Sequence, residues 1–380
     1  MSGLILNISI IGMLTIFVIV VILIFFPIKL NINQLNFLWF TFIISLAIFS
    51  FFAEPIVGAD LWSHYYDIDC MRDGIKNIKG TSPLFVWTLW EYIVSLTSNN
   101  GWLPFSAVLI FGYLIAKVVN DYLRKNKYSS QQVIIYYLAV LGSCYVYYIV
   151  SGIRNAVAFA LWMYFYYFFY KKKRGIYYLA CIFILFLHLS PIIIILINFI
   201  YERFLKDKKH SIRNMLIIYL GVLCLFNLSF IPRILSNSSI SFLNLIGSKW
   251  LIYLDYNISR ISMYNLVRLI GMIYMLALSV YLIYKKRRLE LFDCFIFFTF
   301  IFNSIIILFE RVSYMIGICS FYSIIQCGNL LNARWKKNLF YITSGIIFLF
   351  QVLFSFYAMF SAINFNGHSY YAVWRRFNIF

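Results

Sequence analysis

The chain is short of charge, and above all of negative charge. Charged residues make up 12% of its 380 positions, and only 13 are Asp or Glu. A soluble domain carries roughly twice that share of charge, so one solvated surface around one core is excluded. Cysteine is also sparse in any useful pattern. Most of the seven lie inside apolar runs, at Cys144, Cys181, Cys224, Cys294, Cys319 and Cys327, and none sits in a CxxC or Cys/His spacing. They read as small core residues, so neither a metal nor an organic cofactor is expected. The chain has no internal repeat and no polar stretch long enough for a separate soluble domain, and is read as one integral membrane domain over 1–380.

What is present is apolar length. Hydrophobic residues reach 63%, with a mean hydropathy of +0.85. Apolar runs recur at 4–26, 37–55, 102–119, 131–149, 153–170, 214–231, 263–284, 291–309, 312–331 and 338–360. Each is long enough to cross a bilayer core. The expected fold is therefore an all-α polytopic membrane protein with about 10 full transmembrane helices. The first run has no Lys or Arg ahead of it and no small-residue cleavage site after Phe26, so it reads as a retained span and not a signal peptide.

The +19 net charge would suggest nucleic acid in a soluble protein. Here the Lys and Arg cluster between apolar runs, where they set topology, so no nucleic-acid partner is expected. The run from Ile176 to Tyr201 decides the orientation. A single crossing would put Lys171–Arg174 and the 203–213 cluster on opposite sides and push Lys285–Arg288 outward. A turn-back at Leu187-His-Leu-Ser-Pro191 keeps all three on one side, and Pro191, lacking an N–H, permits the break. A short helix pair around His188 is the expected result, giving 10–12 segments in all, and 21 of the 32 Lys and Arg then face inside. Both termini and the loops at about 57–101 and 232–262 fall outside.

Six of the thirteen acids lie from Glu54 to Glu91, five of them in the first of those loops, which includes the segment VGADLWSHYYDIDCMRDG at 57–74. Ionisable groups at or inside a span are costly and mark functional sites. Four places qualify: Arg154 at the start of a span, His188 at the turn-back, Glu310-Arg311 in a tight outside turn, and Asp60 just past its span. Arg154 could snorkel, His188 could be a core histidine, and Glu310 and Arg311 could neutralise each other. His64, Asp67 and Asp69 make too thin a ligand set for calcium or zinc. Topology favours a shared role, because all four places fall toward the outer side, together with Arg260 and Arg268. Several arginines at one depth suit a pyrophosphate headgroup, since the guanidinium fork binds phosphate oxygens and stays charged. Carboxylates and tyrosines beside them suit sugar hydroxyls.

The order of these features resembles the EpsG/Wzy group of polysaccharide repeat-unit polymerases. Gly58, Asp60, Tyr65 and Tyr66 match an early outside G-x-D-x-x-x-Y-Y pattern. GIRNAVAFAL, with Arg154, stands where that group has Gly-(Leu/Ile)-Arg-Gln-x-(Ile/Leu)-Ala, and HLS at 188–190 stands for His-x-Ser. Glu310-Arg311 follows in a late loop. Asn155 in place of glutamine, and Pro191, depart from the pattern. The resemblance covers about residues 40 to 330 and implies a multi-pass enzyme of the bacterial inner membrane, its site facing the periplasm. Its substrate would be an undecaprenyl-pyrophosphate-linked oligosaccharide, and membrane lipids and a chain-length regulator would be its partners.

On that reading Arg154 and Arg311 hold the pyrophosphate, with Arg260 or Arg268 as third contacts. The candidate catalytic groups are Asp60, His188 and Glu310, with Asp60 or His188 as base and only Asp60 in a loop able to meet a sugar. Trp62, His64, Tyr65 and Tyr66 would face the glycan. Three other readings stand beside it. A lipid-linked oligosaccharide flippase would carry charges in mid-span and two related halves. An O-antigen ligase would carry a very large late outer loop with a histidine, whereas 232–262 is short and has none. A single-sugar glycosyltransferase would use an acidic pair in its first outer loop, for which Asp67 and Asp69 stand.

Overall fold

The computed structural model describes residues 2–26, 28–55, 60–75, 84–144, 146–206, 211–226, 230–241, 243–245, 247–248, 251, 263–286, 288–305, 313–365 and 368–369. These residues are mostly helical. In chain order the first elements are α1 (Ser2–Phe25), α2 (Ile32–Phe51), strand β1 (Glu54–Pro55), α3 (Asp60–Arg72), α4 (Phe85–Ser95) and α5 (Trp102–Lys125). Then come α6 (Ser130–Cys144), α7 (Val146–Val150), α8 (Ile153–Phe169), α9 (Arg174–Leu187) and α10 (Pro191–Ile200), which continues as a π turn over Tyr201–Leu205. After α11 (Ser211–Phe226) and α12 (Phe230–Ser236) follow α13 (Met263–Lys286), α14 (Leu291–Ile305), α15 (Ser313–Leu330), α16 (Arg334–Ala362) and strands β2 (Ile363–Phe365) and β3 (His368–Ser369).

Among the described residues, five helical stretches are long and apolar enough to cross a membrane: Asn7–Phe25, Ile32–Phe51, Trp102–Lys125, Leu269–Lys286 and Arg334–Tyr357. The other expected runs fall on shorter or more polar helical stretches among the described residues. A helix needs a long uniformly apolar run when its faces meet lipid, but one enclosed by protein does not. α6 has all 15 of its residues buried and packs against α15 and α16. α8 and α14 run 17 and 15 residues, and α15 is diluted by Ser, Tyr, Gln and Asn. Outward faces are apolar at helical spacing, as with Ile11, Leu14, Val18 and Ile22 on α1 or Ile346, Phe350 and Leu353 on α16.

Local chemistry fixes several joints. Asn31 and Gln34 form a capping box at the start of α2, each side chain accepting from the other's backbone N–H at 2.9 Å. At the start of α7, Val146 N–H donates to Ser355 Oγ of α16. α2 and α5 approach closely at Gly112, where an added Cβ would lie 2.4 Å from Ile43 and the carbonyl accepts from Trp39 Nε1 at 2.9 Å.

The expected turn-back is present. α9 ends at Leu187 and α10 starts at Pro191, and Tyr177 Oη accepts from both Trp162 Nε1 and Asn198 Nδ2 at 3.2 Å. In one straight helix Tyr177 and Asn198 would stand about 30 Å apart, so α9 and α10 run antiparallel. The bundle thus has two distinct ends. One gathers Lys125, Arg174, Tyr201 and Lys286, with Tyr201 Oη reaching Leu289 O at 3.5 Å. The other gathers α3, α4, α7, the α9–α10 turn and a small antiparallel sheet, in which Glu54 pairs Asn364 and Phe365 pairs His368.

Candidate functional site

The segment Ser151-Gly-Ile-Arg-Asn155 opens α8 at the second end and touches three other elements. Ser151 Oγ accepts from Leu61 N–H of α3 at 3.3 Å. The Arg154 guanidinium lies over the Trp87 ring of α4, its carbon 5.4 Å from the ring centroid. Asn155, buried, accepts from Ser190 Oγ in the α9–α10 turn at 2.7 Å. Successive residues on a helix point about 100° apart, so neighbours 154 and 155 serve different partners.

α3 and α4 pack together and bury a polar centre. On α3, Leu61, His64, Ile68 and Met71 form the inward face. On α4, Trp87, Thr88, Glu91, Val94 and Ser95 do the same, while Phe85, Leu89 and Ile93 are exposed. His64 Nδ1 is 2.9 Å from Glu91 Oε1, and Trp87 Nε1 donates to that same oxygen at 2.6 Å. The His64 and Trp87 rings meet edge-on with centroids 4.7 Å apart. His64 and Glu91 are 4% and 2% exposed, so their contact is screened far less than a surface ion pair. Arg154, Trp87, Glu91 and His64 therefore form one contiguous group from three helices.

A second group lies on the other side of Arg154. His188 Nδ1 is 2.8 Å from Ser190 Oγ and accepts the Ser190 N–H at 3.1 Å. Accepting there puts the proton of the neutral ring on Nε2. Through Ser190, His188 connects to Asn155 and so to the residue after Arg154.

The sequence expectation places Trp62, His64, Tyr65 and Tyr66 together against a glycan, and the structure divides them. Trp62 and Tyr66 are exposed and stacked, with centroids 5.8 Å apart and planes at 17°. His64 is turned inward, because 61, 64 and 68 share one face of a helix and 62 and 66 another. Tyr65 donates to Ala53 O at 3.3 Å, and burial, then nearby Glu54, pushes its phenol well above the usual range, so it stays a neutral hydroxyl. The acids of this segment have separate settings. Asp69 is bound by Arg72 at 2.6 Å and by Asn100 Nδ2 at 2.9 Å, which ties α3 to the turn before α5. Asp60 opens α3, its carbonyl accepting from Ser63 Oγ at 2.7 Å. Gly58, Arg260, Glu310 and Arg311 lie outside the described residues, and so does the side chain of Arg268.

Glu91 and Trp87 were not legible as site residues from the motif pattern, although one signal was available. Glu91 is the only charged residue between positions 84 and 95, an isolated acid in an apolar helix. Among the described residues no group of three His, Cys, Asp or Glu is placed to hold a metal ion. No known protein family, curated protein or solved structure matches the chain.

Proposed function

We propose that the chain is a polytopic membrane glycosyltransferase of the EpsG/Wzy kind, with about ten spans, that joins polysaccharide repeat units carried on undecaprenyl pyrophosphate. The observation that carries this reading is the start of α8, where Arg154 and Asn155 join a buried His–Glu–Trp group to the His188 turn, at the end of the bundle away from the lysine-rich loops. By the positive-inside rule that end faces the periplasm of a bacterial inner membrane. Arg154, together with Arg311 and a third contact from Arg260 or Arg268, would receive the pyrophosphate. Asp60 or His188 would take the acceptor proton, with Glu310 as a further catalytic candidate. The stacked pair Trp62 and Tyr66 would carry the glycan.

The chemistry asks for no protein acid at the leaving group. The donor bond breaks at an anomeric carbon with an oxocarbenium-like centre, and fixed arginines stabilise the charge that develops on the pyrophosphate. The acceptor hydroxyl needs a base within hydrogen-bond reach. No resident cofactor enters this scheme, and a chain-length regulator would act alongside. One structural feature favours a second reading, a lipid-linked oligosaccharide flippase: the helix broken at His188 resembles the discontinuous helices at transporter substrate sites.

A gel of surface polysaccharide separates the two. Deleting the gene should leave core lipid bearing a single repeat unit, and the native protein should restore the ladder. Loss of all repeat-bearing lipid would instead favour the flippase or a ligase that transfers finished chain to core.

A further inference from the structure

We infer that His64, held by Glu91, is the proton acceptor for the attacking sugar hydroxyl, and that Glu91 is its positioning residue. The inference rests on the polymerase reading above, but replaces both of that reading's candidate bases with a residue first placed against the glycan.

The Glu91 Oε1 that faces His64 Nδ1 also accepts the Trp87 N–H, so this oxygen stands as an acceptor. His64 Nδ1 is then the donor, and in the neutral ring the lone pair sits on Nε2. This is the arrangement of a base oriented by a third group: a carboxylate behind the ring fixes its tautomer and stabilises the imidazolium that forms. At His188 the Nδ1 partners are Ser190 and, through it, Asn155, which orient the ring.

Placement agrees with that role. Trp87 meets His64 with its ring edge-on and carries Arg154 over its face, so the phosphate-binding cation and the base flank one indole. A sugar set against that indole would have its pyrophosphate toward Arg154 and the incoming hydroxyl toward His64. The acceptor O–H proton passes to Nε2, and the oxygen's electron pair forms the new C–O bond at the anomeric carbon. The old C–O bond breaks with its electron pair going to the departing pyrophosphate, and the imidazolium later yields its proton to water. His64, Trp87 and Glu91 are covered in this structure, at 4%, 3% and 2% exposure. Access for the acceptor would require α3 to part from the start of α8, which it meets through the Leu61 N–H to Ser151 Oγ hydrogen bond of 3.3 Å.

The test uses the lipid-linked saccharide pool extracted from cells lacking this gene, supplied to purified full-length protein in lipid vesicles, with glycan length read on a gel. Native protein should elongate the pool. His64→Gln, which keeps a side-chain amide near Glu91 but removes the base, should lose at least about a hundredfold in rate at unchanged folded yield. Glu91→Gln should lose roughly tenfold, as expected when the group behind a base no longer carries charge. His64→Ala should regain activity with millimolar imidazole, a response that a structural histidine would not give. Near-native elongation by His64→Gln, or a folded His64→Ala that imidazole fails to rescue, would overturn the assignment of His64 while leaving the polymerase reading in place. Failure of the native protein to elongate the pool would remove both.

Discussion

The two ends of the bundle hold their charges in different ways. At the lysine-rich end the ion pairs are local: Lys125 with Asp121, Lys206 with Glu202 at 3.0 Å and Lys286 with Glu290 at 3.5 Å are all four residues apart on or beside one helix, and all are partly exposed. Such pairs contribute about 1 kcal/mol or less each. At the other end, beside the exposed and local Asp69–Arg72 pair, contacts covered in whole or part join distant helices. His64 meets Glu91 across 27 residues, and Ser190 meets Asn155 across 35. Local exposed charge can orient a helix bundle without constraining its fold. Buried contacts between distant helices must be assembled by the fold itself, and that cost is accepted where a site needs groups held in place.

The contrast can be broken by substitution, with the largest effect expected at Glu91. Glu91→Leu strips the acceptor from both Trp87 Nε1 and His64 Nδ1, and each stranded donor costs about 1–3 kcal/mol. The purified protein in detergent should show a clearly lower thermal midpoint than the native chain. Arg154→Lys comes next. A lysine keeps the charge and loses the fork, and elongation should fall about a hundredfold, near 2.7 kcal/mol of transition-state stabilisation, with protein level unchanged. Asn155→Leu removes the acceptor of the Ser190 hydroxyl and should cost about 1 kcal/mol in stability, with a fall in elongation of roughly tenfold as the His188 turn loosens. The smallest effect belongs to the opposite end. Lys125→Ala breaks an exposed pair and should change the thermal midpoint by less than about 1 kcal/mol equivalent, with elongation as in the native protein.

Which features could be read beforehand follows from how local they are. The break before Pro191 is a one-residue statement about a missing N–H, and the basic clusters that demand the turn-back are local too, so the antiparallel pair around His188 was foreseeable. Arg154 was visible as a charge at the edge of an apolar run. The inward turn of His64 was not, because a polar segment with few apolar residues reads as a loop and gives no face until it folds as α3. Its partner Glu91 lies on another helix, and no periodicity links them. Span number was legible only in part: the run at 131–149 is apolar in sequence, but its helix α6 is 15 residues long and enclosed by α15 and α16, which hydropathy alone does not reveal. The tie of Asp69 to Asn100 was not legible either, because it forms only when the turn before α5 closes on α3.

The most direct test sets one residue from each end side by side. Native protein, Arg154→Lys and Lys125→Ala, reconstituted in vesicles with the lipid-linked pool from cells lacking the gene, would be compared by glycan length and by release of lipid pyrophosphate. The account predicts that Lys125→Ala elongates as the native protein does, while Arg154→Lys leaves single units and releases about a hundredfold less pyrophosphate. Equal elongation by both variants, or a loss confined to Lys125→Ala, would contradict the placement of the site at the start of α8.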